Sequence, residues 1–349
     1  MSTATDKQSA NSSAPHTAPL IEVDHLTVAF GEGTRAVRAV DDVTLTVGRG
    51  DLYALVGESG CGKSTLAYSL LNLVTPPGRI TQGRVSFAGR DVTRMGRRQL
   101  ESLRGAELSM VFQAAMNAFN PVLTIGRQVE HILAAHPGVF ADQAEGRAYF
   151  EHLLQMVQLS PGEVWDTYES RLSGGMKQRV AIALSLLLKP SVVVLDEPTT
   201  ALDVLNQRLV IDILRSLYES LGITIIFITH DLAVVAELAT RVGVMYAGRL
   251  VETGTVDEVF LDRRRHPYVE ALVSAIPSVL SGQGAAHAIP GQVPDLRNLP
   301  PGCRFAPRCP LARSSCSDGE PPLLADRQGH AVACFVVNED HDQDLVVSQ

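Results

Sequence analysis

Up to about residue 253 the chain alternates short apolar, β-branched runs with stretches whose apolar positions recur at helical spacing. Residues 51–56, 108–112, 191–195 and 223–229 read as strands. The unbroken run Val192, Val193, Val194, Leu195 predicts a strand covered on both faces, as in a parallel sheet. Helices are expected at 64–74, 204–221 and 232–239, which gives the layered α/β order. Between Asn120 and Leu172 no strand pattern occurs, and 124–135 and 143–158 read as helices. This stretch, about 115–172, is expected to be a helical subdomain inserted into a sheet domain spanning 20–262. A last helical piece is expected at 263–277, followed by a Gly/Ala/Ser-rich linker at 281–291. The remainder to about 337 is Pro-rich, carries four cysteines and shows little periodicity. Such a segment would need a staple to hold its shape. Residues 1–19 and the acidic end 338–349 are expected to be disordered tails.

Composition narrows the partners. Hydrophobic residues make up 45% and charged residues 19%, the profile of a soluble globular protein. A net charge of -8 argues against nucleic acid as the main partner. No run approaches the roughly 18 apolar residues of a membrane helix, and the first residues lack the apolar core of a signal peptide. A cytoplasmic chain is expected, with any membrane association made through partner chains.

One segment carries a phosphate-binding pattern. Gly57, Glu58, Ser59, Gly60, Cys61, Gly62, Lys63, Ser64 and Thr65 match G-x-x-x-x-G-K-[ST] between a predicted strand and a predicted helix. Glycines let the backbone approach phosphates, and free N–H groups at a helix start favour anions. Lys63 would reach the β- and γ-phosphates of ATP, and the Ser64 hydroxyl would ligate Mg²⁺. Cys61 occupies a variable loop position and is read as filler. Downstream, the apolar strand ends in Asp196 and Glu197. Asp196 would hold the Mg²⁺ shell and Glu197 would polarise the attacking water; the alternative is a pair of helix-capping acids. His230, just after the strand at 223–229, is a candidate for the γ-phosphate, with a structural role as the alternative.

Leu172, Ser173, Gly174, Gly175 and Met176, followed by Lys177, Gln178, Arg179 and Val180, resemble the signature motif of ABC ATPases. The other elements of that family follow in order. Gln113 resembles the Q-loop glutamine that senses Mg²⁺ and the membrane subunits, and Ala201, Leu202 and Asp203 resemble the D-loop. Phe30 is placed like the aromatic that stacks on adenine, although a Phe at a strand end is equally a core residue. The sequence departs from the family at Met176, where Gln is usual, and at Ala114-Ala115, where an acid and a Pro are common. Neither departure removes a phosphate ligand.

The resemblance implies an α/β P-loop ATPase with a mixed sheet core and an inserted helical subdomain. It also implies that ATP is held between the P-loop of one subunit and the Ser173–Gly175 segment of another. The segments His266–Leu272, Ile276-Pro277, Ile289–Pro294 and Leu299–Pro310, with Met116–Pro121, are similar to oligopeptide, dipeptide and nickel transporter ATPases. The implied partners are a second, non-identical ATPase subunit, two membrane permease subunits and an extracytoplasmic binding protein. The implied location is the cytoplasmic face of a bacterial inner membrane. The rival function, a non-transport ABC ATPase in DNA repair or translation, usually brings a coiled-coil insertion or tandem ATPase domains, and this chain has one signature. Cys303, Cys309, Cys316 and Cys334 are spaced C-x5-C-x6-C-x17-C. Four thiolates suit Zn²⁺ or an iron–sulfur cluster, and the alternative is free thiols packed as small hydrophobes. The transporter resemblance favours a 4Fe–4S cluster.

Overall fold

A computed structural model describes residues 18–33, 36–113, 119–200, 202–275 and 289–339. The expectations about Ala114-Ala115, most of the Met116–Pro121 segment, Ala201, Ile276-Pro277, the 281–288 linker and the bulk of both tails lie outside the described residues.

In chain order the elements are β1 (Ile21–Phe30), β2 (Val37–Val47), β3 (Leu52–Val56), α1 (Lys63–Leu70), β4 (Gly78–Phe87), β5 (Arg90–Asp91), α2 (Arg97–Leu103) and β6 (Leu108–Val111). The all-helical stretch α3 (Ile125–Ala135), α4 (Gln143–Met156) and α5 (Pro161–Val164) follows, then α6 (Gly174–Leu186). The chain returns to the sheet with β7 (Val192–Asp196), α7 (Val204–Leu221), β8 (Thr224–Thr229), α8 (Leu232–Leu238), β9 (Arg241–Tyr246) and β10 (Arg249–Thr255). It ends with α9 (Val256–Leu261), α10 (Pro267–Ser274), α11 (Ser315–Asp318), β11 (Leu324–Ala325) and β12 (Ala331–Val332).

The strands form two sheets. The larger runs β11-β12-β10-β9-β3-β8-β7-β6, and the smaller runs β2-β1-β4-β5. In the large sheet β6, β7, β8, β3 and β9 are parallel neighbours, whereas β10 and the β11–β12 hairpin pair antiparallel. Strands β3, β7 and β8 are buried at every position, as parallel strands covered on both faces must be. Their alternation sorts residues into two cores. Leu52, Ala54, Val193, Leu195, Ile225 and Phe227 face the helices, including α6 and α7. Tyr53, Leu55, Val192, Val194, Ile226 and Ile228 face α1 and the antiparallel sheet. Strand β2 instead alternates buried with exposed residues over its second half, because one of its faces is open to water.

Helix ends follow local chemistry. Thr124, Asp142, Ser173, Asp203 and Asp231 each cap a helix by accepting a hydrogen bond from a first-turn N–H. Gly222 ends α7 at φ 60.

The cysteine-rich end differs from expectation. Within it β12 pairs with β10 and extends the large sheet, although the sequence showed no strand period there. Phe305 is buried in the main core and packs edge-on to Tyr246 with ring centroids 5.3 Å apart. Two buried polar contacts tie this segment down. Arg304 binds Asp41 and the carbonyl of Ala247, and both charged groups are buried. Burial alone would raise the Asp41 carboxyl, but the hydrogen bond and charge of Arg304, with Arg249 and Arg38 nearby, hold it below the usual carboxylate range. Buried Glu252 on β10 meets His330 Nε2 at 2.9 Å and accepts the His266 N–H at 2.7 Å.

The expected iron–sulfur cluster is a correction. The four cysteines line one small cavity of about 10 Å³, yet among the described residues no group of three or more His, Cys, Asp or Glu side chains is placed to hold a metal ion. Burial pushes the Cys303 thiol up to about 11 and raises Cys309 and Cys334 as well. Cys303 and Cys309 pack on the main core and Cys334 on Val332 and Val336. The free thiols act as small hydrophobes, and neither the cluster nor zinc is supported.

Removing one member of a buried ion pair leaves the other charged and unpaired. Arg304→Ala is therefore expected to cost about 3 kcal/mol in chemical denaturation, against less than about 1 kcal/mol for Arg127→Ala, whose pair with Glu130 is largely exposed.

Candidate functional site

Strand β3 delivers the chain into the loop 57–62, and α1 starts at Lys63. Gly57 sits at φ 148 and Gly62 at φ 105. A Cβ at Gly57 would lie 2.2 Å from the Met245 carbonyl oxygen, and one at Gly62 would lie 2.1 Å from that of Ala39. No other residue fits either position. The loop wraps the side chain of its own lysine. Lys63 Nζ is buried and donates to the carbonyls of Gly57 at 2.7 Å and Glu58 at 2.9 Å.

A cavity of about 220 Å³ opens above the loop, lined by Ala39, Ser59, Gly60, Gly62, Lys63, Ser64, Thr65, Gln113 and Glu197. The first turn of α1 presents N–H groups without intrahelical partners beside it. Ser64 Oγ donates to Asp196 Oδ1 at 3.0 Å. Asp196 Oδ2 is buried with no hydrogen-bond partner. Burial, with the neighbouring Glu197 charge, pushes the Asp196 carboxyl up against the pull of Ser64, the nearby Tyr68 hydroxyl and Lys63. A divalent cation satisfies such an orphaned oxygen, and the Ser64 hydroxyl and Asp196 carboxylate are the oxygen donors a hard cation takes.

Glu197 follows at φ 50, a left-handed conformation uncommon for this residue type, with its N–H held by the Ile228 carbonyl at 3.0 Å. Its carboxylate accepts from Gln113 Nε2 at 3.1 Å and Thr200 Oγ1 at 2.8 Å. His230 Nδ1 stands 3.8 Å from Glu197 Oε1, beyond hydrogen-bond reach, and its ring is mostly exposed. The parallel register of β7 and β8 brings these groups together.

The other expected site residues lie outside the cavity. Ser173 caps α6 at the surface, accepting from the Met176 N–H. Gly174 is half-buried and Gly175 is buried against Asn206, whose Oδ1 would stand 2.5 Å from a Cβ at Gly175. Asn206 also donates to Asp203 at 2.6 Å, so one amide links the starts of α6 and α7. Phe30 is half-buried, its ring pressed on Gly78. Cys61 is buried beneath the loop, and the Glu58 side chain turns away to Arg308. Asn206 and Ala39 escaped notice in the sequence, since a lone Asn at the third position of a helix and an Ala in a strand carry no signal.

A Gly-lined phosphate loop after β3, with a hydroxyl-bonded acid ending β7 and a strained second acid directly after it, two strands away in the same parallel sheet, define a P-loop ATPase cassette. Residues 40–200 match the ABC transporter family, and residues 251–316 match the oligopeptide/dipeptide transporter C-terminal region. The oligopeptide transport ATP-binding protein AppD of Bacillus subtilis is 43% identical over 92% of this chain and 98% of its own length. The dipeptide transport ATP-binding protein DppD of Escherichia coli is 38% identical over the same 92% and 98%. Among solved structures, the dimeric bacterial ABC transporter cassette MJ0796 aligns with a TM-score of 0.60 and 27% identity, covering 68% of this chain and 98% of its own. The same cassette in a post-hydrolysis state bound to ADP and Pi aligns with a TM-score of 0.58. The chain belongs to the ABC transporter ATP-binding proteins and is an ATPase of that class. No helix among the described residues is long and apolar enough to cross a membrane.

Gly62→Ala adds a methyl group against backbone that cannot yield. It is expected to weaken ATP binding at least about tenfold and to lower the melting temperature. Gly89→Ala, at φ 76 with open space around it, is expected to cost only the backbone strain, about 1 kcal/mol, and to leave ATP binding unchanged. Nucleotide titration and thermal melting of both variants check this.

Proposed function

We propose that the chain powers import of oligopeptides or dipeptides, hydrolysing ATP in a site completed by a second ATPase subunit and driving two permease subunits supplied by an extracytoplasmic binding protein. The observation that carries this reading is the split in the geometry. Lys63, Ser64, Gln113 and Glu197 share one cavity, whereas Ser173 stands at the surface outside it. A helix start at the surface favours an anion, here one held by another subunit.

In this reading the loop N–H groups and Lys63 bind the phosphates of ATP, and Ser64 and Asp196 would hold Mg²⁺, with Gln113 close by. When bound, Mg²⁺ neutralises phosphate charge and orients the terminal phosphoryl group. Glu197, steadied by Gln113 and Thr200, takes a proton from the water whose oxygen attacks the γ-phosphorus, and ADP leaves. His230 is free to turn toward the γ-phosphate. ATP contacts made to both subunits favour the closed pair, so binding does work only on closure. Phe30 is the candidate for the adenine face, and its packing on Gly78 supports the alternative core role.

The peptide cargo rests on the names of the relatives and on the C-terminal match, which give nickel no corresponding support. The proposed location is the cytoplasmic face of the inner membrane.

Glu197→Gln keeps the shape of the site and removes the base. It is expected to bind ATP within about twofold of the parent and to lose at least about 100-fold in phosphate release. Undiminished hydrolysis would assign the base elsewhere.

A further inference from the structure

The C-terminal region reaches the phosphate loop through two side chains. The Glu58 N–H donates to Tyr268 Oη at 2.9 Å. The carbonyl of the same peptide group, Gly57 O, accepts from Lys63 Nζ at 2.7 Å. A trans peptide is planar, and its N–H and C=O point in opposite directions. Tyr268 and Lys63 therefore grip opposite ends of one rigid plane. The Glu58 side chain is held in turn by a two-pronged ion pair, with Arg308 Nη1 at 2.7 Å and Nη2 at 3.1 Å from its two carboxylate oxygens.

Both outer residues are themselves fixed. Arg308 is nearly buried and donates to Tyr246 Oη at 3.2 Å and to the Pro290 carbonyl at 2.8 Å. The rings of Tyr246 and Tyr268 lie 4.6 Å apart, and Phe305 packs against both. Tyr268 sits in the first turn of α10, where His266 Nδ1 accepts the Tyr268 N–H at 3.0 Å. Burial pushes His266 down to about 3, so its imidazole is neutral and able to accept. Burial, aided by the charge of Glu58, pushes the Tyr268 hydroxyl well above its ordinary value and keeps it protonated.

We infer that Tyr268 and Arg308 are positioning residues for nucleotide binding, which hold the Gly57–Glu58 peptide and so aim the ammonium of Lys63 into the phosphate cavity. Neither touches that cavity. The inference rests on reading residues 57–65 as the ATP site, and it gives the C-terminal region a part in ATP affinity. Water is kept from these hydrogen bonds by the aromatic packing, which strengthens them.

The test uses the full chain carrying Glu197→Gln, so that nucleotide is not consumed, titrated with ATP and Mg²⁺. Tyr268→Phe removes one oxygen and keeps the ring. It is expected to raise the dissociation constant about fivefold, the loss of one hydrogen bond. Arg308→Ala is expected to weaken ATP at least as much, and Arg308→Lys to recover part of the loss. Glu58→Gln added to Arg308→Ala is expected to do no further harm, because both break the same pair. Lower melting temperatures with ATP affinity unchanged in Tyr268→Phe and Arg308→Lys would overturn the inference and leave these residues as packing alone. Strictly additive losses for Glu58 and Arg308 would overturn the relay through Glu58. If the Glu197→Gln chain itself fails to bind ATP, the nucleotide-site reading falls first and this inference with it.

Discussion

At Gly57 and Gly62 two carbonyl oxygens occupy the space a side chain would need. The phosphate loop is thus shaped from outside as much as by its own sequence. Parallel pairing of β3 with β9 brings Met245 against Gly57, and strand β2 of the smaller sheet brings Ala39 against Gly62. The turn after β9 closes a third side, where the Gly248 N–H donates to the Cys61 carbonyl and the Asp41 N–H to the Gly248 carbonyl. Two sheets with different strand directions must therefore be in register before the loop can close round Lys63. The cost of holding Glu197 in a left-handed conformation is borne by the same packing, since its N–H is tied to β8.

Much of this was legible in the chain. Strands buried on both faces show as unbroken apolar runs, so β3, β6, β7 and β8 were found within a residue or so of their ends. Helix α7, with an acid before it and a glycine after it, was read with the bounds it has in the structure. Strands β1, β2, β4, β9 and β10 were not assigned. Their runs mix charged and small residues because one face is solvated or because pairing partners lie far along the chain. Asp196 and Glu197 were read as two acids ending an apolar strand, and the structure brings them to the loop, where Asp196 accepts from Ser64 and Glu197 lines the cavity. The contact of Asn206 with Gly175 depends on tertiary packing that leaves no local trace.

The cysteine region misled for a physical reason. Two-residue strands and single aromatic anchors have no period to detect, so the segment looked coreless and in need of a metal. Its anchors are side chains of distant partners: Phe305 in the main core, Arg304 on Asp41 and Arg308 on Glu58. The arginines flank Phe305 between Cys303 and Cys309, and they fasten the C-terminal region to the strand before and the loop after β3. Ion pairs and aromatic packing provide the staple that was sought among the thiols.

The central claim is that nucleotide is gripped across a seam between two chains. Occlusion of ATP in the assembled transporter tests it most directly, with hydrolysis blocked by Glu197→Gln and Ser173→Arg added at the signature. The account predicts that Ser173→Arg abolishes occlusion while the isolated chain binds ATP as before. Occlusion that survives the arginine, or an isolated chain whose own ATP affinity falls with it, would contradict the claim.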